Sequence, residues 1–119
     1  MTRIYRPLIA QLFFATSLSA IAGAAAADAA PGSAEISELG RLNGVSLACS
    51  QPALTARARE ILIALAPKER EIGEIYERAT SDAFLAQGQQ SLPCPEGKAL
   101  AGQIDVAEAA LKRVFAKKP

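Results

Sequence analysis

Cys49 and Cys94 are the two cysteines of this 119-residue chain, and they lie far apart in the sequence. The chain has no histidine, so neither a Cys–His nucleophile nor an imidazole ligand to complete a metal site is available to them. They do not form a C-x-x-C redox pair. What remains is a single disulfide, with two buried free thiols as the alternative. Closing the long loop between them would remove unfolded-chain entropy worth about 4 kcal/mol. For a small domain that is comparable to the whole stability.

Carboxylates are the other residues able to do chemistry. Glu71 with Glu74, and Glu74 with Asp82, fall within reach of each other along one helical face. Nothing apolar beside Glu71 or Glu74 would separate two pKa values into an acid and a base, so a solvated helix surface is the simpler reading. Serines and threonines have no histidine to activate them, and neither a G-x-S-x-G elbow nor an S-x-x-K motif occurs. There is no glycine-rich phosphate loop. The sequence therefore calls for no cofactor and no metal. Its one enzymatic alternative is a carboxylate-dependent hydrolase of cell-envelope polymers.

The framework that must carry these residues is helical. Hydrophobic residues make up 50% of the chain and aromatics 5%, with tryptophan absent, so the core is assembled from Leu, Ile, Val and Ala. The length allows one small domain.

The N-terminus has the order of an export signal. Arg3 and Arg6 precede the apolar run Leu8 to Ala27, and no acid appears before Asp28. Ala25-Ala26-Ala27 offers an A-x-A-like site, which predicts a signal peptide over 1–27 cleaved before Asp28. The alternative is an uncleaved anchor, against which stand Gln11, Thr16, Ser17, Ser19 and the alanine-rich tail. Residues 28–33 then read as a flexible leader and 34–119 as the helical domain. Of 13 Lys+Arg, Arg3 and Arg6 leave with the signal, so 11 bases face 12 acids and the net charge becomes −1. No basic field for nucleic acid remains, and no stable membrane span. The expected location is the bacterial periplasm or the medium outside, where a disulfide persists.

Four amphipathic stretches follow. Ser33 reads as an N-cap for a first helix with Ile36, Leu39, Leu42, Val45 and Cys49 on one face; Gly40 and Gly44 either weaken it or admit a close neighbour. Pro52 opens a second helix, running to about Leu65, whose stripe is Leu54, Ala58, Ile61, Leu62 and Leu65. Pro67 predicts a break. A third helix over about 68–87 turns Ile72, Ile75, Tyr76, Ala79 and Ala83 inward, with Phe84 or Leu85 continuing the stripe, while Arg70–Glu74 and Glu74–Arg78 pair along its outer face. Gly88 opens a loop in which Cys94 is held between Pro93 and Pro95, and Cys94 or the turn around it caps a fourth helix. Its stripe is Leu100, Ile104, Ala107, Leu111 and Val114, with Phe115 adding bulk. The expected fold is all-α, a small bundle of about four helices stapled by one disulfide.

Two surface features stand out. Phe84, Leu85, Gln89 and Gln90 lie beside the expected disulfide and form a candidate partner surface, unless Phe84 or Leu85 fills the core instead. Lys112 and Arg113, with Lys117 and Lys118, form a basic end suited to anionic lipid, peptidoglycan or an acidic partner or, more simply, to the helix dipole and solubility.

Export signal, mature length, helical pattern and the widely spaced Cys49 and Cys94 together resemble the small periplasmic acid-stress chaperones of Gram-negative bacteria. They are similar also to many small exported helical proteins without assigned activity. The likeness is architectural and transfers no functional residue. It implies a chaperone activated as carboxylates protonate near pH 4, when the 11 bases carried beside 12 acids would move the net charge from −1 towards +11. The reading drawn from the residues is a non-catalytic protein-binding or accessory protein whose partner is another envelope protein.

The sequence makes a joint prediction for protein recovered after export. Its intact mass should match a chain starting at Asp28 and lacking the two thiol hydrogens, with no alkylation before reduction. A mass that retains residues 1–27, or two alkylatable thiols, would overturn it.

Overall fold

The computed structural model describes residues 30–116, so the expected signal peptide, its cleavage site and Lys117 and Lys118 lie outside the described residues. Four helices follow in order: α1 Ser33–Ala48, α2 Pro52–Leu65, α3 Arg70–Gln89 and α4 Gly97–Phe115. The fold is all-helical, as the periodicities predict.

Helix boundaries are set by local chemistry. Pro52 occupies the first turn of α2, where its missing N–H is harmless. Ala66, before Pro67, is extended with ψ 148°, which separates α2 from α3. Helices α1 and α3 end alike. After α1, the Gln51 N–H donates to Ser46 O (2.9 Å) and the Ser50 N–H to Leu47 O (3.3 Å). After α3, the Leu92 N–H donates to Gln87 O (3.2 Å) and the Ser91 N–H to Gly88 O (3.3 Å). These are Schellman closures, with Ser50 and Ser91 at φ 56° and 49° in the left-handed place usually held by glycine.

Three local expectations are corrected, and a choice between two is decided. Ser33 is the first residue of α1 and not its cap; Gly32 takes that place at φ 83°. Gly88 does not open the loop, because α3 continues through it to Gln89 and Ser91 makes the left-handed turn instead. Of Cys94 and the turn around it, the turn supplies the cap of α4, at Glu96. Val114 leaves the α4 stripe and is exposed, while Phe115 turns inward. Its ring lies against Gly32 where any side chain would collide.

The core is a single cluster. Ile36, Leu39 and Leu42 from α1 meet Leu100, Ile104 and Leu111 from α4, all with no exposed surface, and Ala58, Ile61, Ile72 and Tyr76 complete it from α2 and α3. Burying each large aliphatic side chain contributes about 1.5–3 kcal/mol. α1 is the hub: it packs against all three other helices, α2 also meets α4, and α3 packs closely against α1 alone.

The α1–α3 contact explains the two α1 glycines. A Cβ at Gly40 would stand 2.5 Å from Tyr76 O and 2.9 Å from Ala79 Cβ. At Gly44 it would run into Thr80 O and stand 2.8 Å from Ala83 Cβ. Their absent side chains let the backbones approach, and the Thr80 hydroxyl crosses the seam within 3.1 Å of Gly40 O. Its proton has a closer acceptor in Tyr76 O at 2.8 Å, and Asn43 Nδ2 donates to it at 3.2 Å.

Charged residues join α2 to α4, a link the sequence did not announce. Arg57 pairs with Asp105 and with Glu108 (3.2 Å), and Lys112 reaches Glu108 at 3.0 Å. Hydrogen bonds from Lys112 and then Arg57 hold the Glu108 carboxyl below its ordinary value of 4.5. Glu38 is lowered in the same way by the hydrogen bond from Arg41, partly opposed by burial. On α3, Arg70 takes Glu74 at 3.7 Å, and no Glu74–Arg78 pair forms among the described residues.

The Cys49–Cys94 disulfide ties the C-terminal end of α1 to the loop before α4, with Cα atoms 5.7 Å apart. Gln87, almost fully buried, braces that loop by donating to Leu92 O at 2.8 Å, with Pro93 O at 3.2 Å.

Two stability measurements test this account. Gly44→Ala gains helix propensity yet should lose about 1–3 kcal/mol by overpacking against Thr80 and Ala83. Gly102→Ala, on α4 with nothing within 4 Å of the new methyl, should instead stabilise by about 0.5–1 kcal/mol. Equal effects in denaturant titrations would dismiss the close-approach argument. Because the folded-state pKa of Glu108 is depressed, its pairing stabilises the protein fully above the unfolded value near 4.5 and is lost as pH falls through the lower folded value. Arg57→Met should therefore cost about 0.5–1 kcal/mol at pH 7 and little at pH 2. A cost that does not change with pH would contradict the assignment.

Candidate functional site

Because α2 and α3 each pack on α1 without approaching one another closely, a cleft opens between them. It has a volume of about 550 Å³ and is lined by Asn43 and Leu47 of α1, Arg59 and Leu62 of α2, and Tyr76 and Glu77 of α3, among others. Thr80 and Ser81 lead from it into a hollow of about 360 Å³ between Leu47, Phe84 and Leu85. On the far side of Arg59, Ser46, Ser50 and Thr55 border a smaller hollow of about 280 Å³. The three depressions share Leu47 or Arg59 and form one continuous face.

The polar groups along this face are unusual. Asn43 is 4% exposed and Tyr76 6%. Asn43 uses its amide N–H on Thr80, but its Oδ1 has no hydrogen-bond partner, and neither has the Tyr76 hydroxyl. Thr55 Oγ1, bordering the adjoining hollow, is the third such buried atom. Each unpaired group costs about 1–3 kcal/mol. All three lie along the same face.

Burial pushes the Tyr76 phenol up to about 12, with the positive charge of Arg59 acting in the opposite sense. Tyr76 is therefore a neutral donor throughout the physiological range. Arg59 itself is exposed and makes no ion pair among the described residues. At the other end of the face, Leu47 is 44% exposed, Phe84 47% and Leu85 50%. The expectation that Phe84 or Leu85 fills the core is thus corrected. Helix α3 turns Ala79 and Ala83 towards Gly40 and Gly44, which leaves both bulky neighbours outside the contact.

The residues singled out in the sequence fall into two groups. Phe84, Leu85, Gln89 and Gln90 are exposed along the last turns of α3, beside the end of α1 that carries the disulfide. Lys112 and Arg113 are exposed on the last turns of α4, near the opposite end of α1, where Phe115 meets Gly32. Gly44 lies twelve positions beyond Gly32, the cap of α1, a rise of about 18 Å, so the two groups do not form one surface. Lys112 is occupied with Glu108.

Glu71, Glu74 and Asp82 are exposed on α3 and none of them lines the cleft. Among the described residues no cluster of three or more Cys, Asp or Glu is arranged to hold a metal, and no helix is long and apolar enough to cross a membrane. Nothing in the sequence marks Asn43, Thr55 or Arg59 as functional, and Tyr76 reads there as a core residue. The nearest to a signal is at Asn43, an amide beside a buried helical stripe, next to Gly44.

Compared with protein-family models, curated proteins and solved structures, the chain finds no match in any of the three.

Proposed function

We propose that this is a small exported, non-catalytic protein-binding or accessory protein that works in the bacterial periplasm or outside the cell, with the α1–α2–α3 face as its contact surface. In this reading residues 1–27 are a signal peptide, 28–33 a leader and 34–119 the working domain. The observation that carries it is the coincidence on one face of Leu47, Phe84 and Leu85, each close to half exposed, with three buried polar atoms that the fold leaves unpaired. A large exposed apolar group costs solubility and an unpaired buried group costs stability; a partner that covers the one and satisfies the other accounts for both. The disulfide supports a location where thiols are oxidised.

A second reading is an acid-activated periplasmic chaperone, and one observation favours it. The link between α2 and α4 depends on Asp105 and Glu108. Strong acid would protonate both and leave Arg57 and Lys112 as uncompensated positive charges on facing helices, loosening the bundle within limits set by the disulfide.

Photo-crosslinking separates the two. A photoreactive residue placed at Leu85, and as a control at Ala109, exposed on α4, is activated in intact cells of the native host at neutral and at low pH. Protein binding predicts one or a few discrete adducts from Leu85 at neutral pH and none from Ala109. Adducts with many clients only in acid would install the chaperone reading, and no adduct at either pH would refute both.

A further inference from the structure

We infer that the α1–α2–α3 cleft recognises the free C-terminal end of an apolar polypeptide segment, with the terminal carboxylate at Arg59 and Tyr76 and the preceding side chains against Leu47, Phe84 and Leu85. The inference rests on the protein-binding reading and specifies which part of the partner is bound.

The unpaired groups define the ligand by complement. Asn43 Oδ1 is an acceptor only, so it calls for an N–H. Tyr76, held neutral by burial, calls for an acceptor. A backbone amide next to a carboxylate supplies both within one residue. Arg59, exposed and without an acidic partner among the described residues, offers the planar fork that matches a carboxylate.

Charge distribution narrows the choice further. Glu77 stands on the α3 wall and Arg59 on the α2 wall of the same cleft. A dianionic phosphate group would meet Glu77 unfavourably, whereas a singly charged carboxylate can turn towards Arg59 and leave its amide side to Asn43. The cleft volume of about 550 Å³ falls within the range of small-ligand pockets, about 300–1,000 Å³. Of the two hollows that adjoin the cleft, the one bordered by Leu47, Phe84 and Leu85 is apolar, whereas the one beyond Arg59 is bordered by Ser46, Ser50 and Thr55. That asymmetry suits a chain with one charged terminus and an apolar approach to it. Asn43 Oδ1 and the Tyr76 hydroxyl are closed off from solvent, so recognition requires the two walls to part on binding; α2 and α3 make no close backbone contact with each other.

The probe is a pool of N-acetylated octapeptides with apolar residues at the last four positions, synthesised both as free acids and as C-terminal amides. Retention is measured on the immobilised full-length exported protein. Free acids should be retained at least about tenfold better than amides, and Arg59→Gln should bring them down to the amide level. Tyr76→Phe keeps the buried ring and should weaken retention by about fivefold, while leaving the melting temperature unchanged or higher, because it removes an unpaired hydroxyl. Circular dichroism of both variants should be that of the parent protein.

Equal retention of acids and amides, lost on Leu85→Asp, would overturn terminal recognition and leave protein contact standing. An unchanged affinity in Arg59→Gln would overturn it as well, and so would a lower melting temperature in Tyr76→Phe, which would mean that the hydroxyl already has a partner. If neither peptide form is retained, the inference fails, and the crosslinking result at Leu85 decides the broader reading independently.

Discussion

The close approach of α1 and α3 is the constraint on which the rest of the structure depends. Two glycines, Gly40 and Gly44, sit one helical turn apart and face the backbone of Tyr76 and Thr80 and the methyl groups of Ala79 and Ala83. No larger side chain fits there. The small residues of α3 must therefore face α1, and helical geometry then decides the rest of that helix: Tyr76 is carried into the core, and Phe84 and Leu85 are carried out of it. The same choice leaves α3 held by one neighbour, and the cleft is the space that a second neighbour would have filled. The cost of the glycines to the helix itself, about 1 kcal/mol each, is offset by the contacts that their absence of side chain allows.

Much of this architecture was legible in the sequence because it follows from periodicity and from residues with restricted backbones. The stripes of α1, α2 and α4 appear in the core nearly as spaced, Pro52 and Pro67 mark the boundaries they physically impose, and two cysteines in a histidine-free chain had one probable chemistry. Errors arose where two residues competed for one role. Val114 and Phe115 both adjoin the α4 stripe, and the larger one won the place beside Gly32. Gly88 looked like a helix stop, yet the Schellman bonds fell three residues later, with Ser91 accepting a left-handed backbone.

The cleft was not legible for a different reason. It is defined by missing partners, and a sequence does not record which hydrogen bonds a polar group fails to make. Asn43 would be read as a surface residue, and Tyr76 as ordinary core; the fold alone shows that both are buried with one atom unsatisfied. Arg59 stays hidden among 13 basic residues until the fold places it on the wall of the cleft. Gln87 belongs to the same class, since its amide matters only once the loop through Leu92 and Pro93 has been laid beside it.

The disulfide has a consequence for how the molecule bears mechanical load. Tension applied at the two ends of the helical domain enters α1 at Gly32 and α4 at Phe115. Between those points the shortest covalent route runs along α1, across the bond from Cys49 to Cys94 and into α4. Helices α2 and α3 lie entirely on the slack side of that route. A pull strong enough to peel α1 from α4 would be arrested at the bridge before it could stretch the segment from Ser50 to Pro93, which supplies two walls of the cleft. The linkage works as a strain relief that keeps forces carried by α1 and α4 out of the α2 and α3 walls of the cleft.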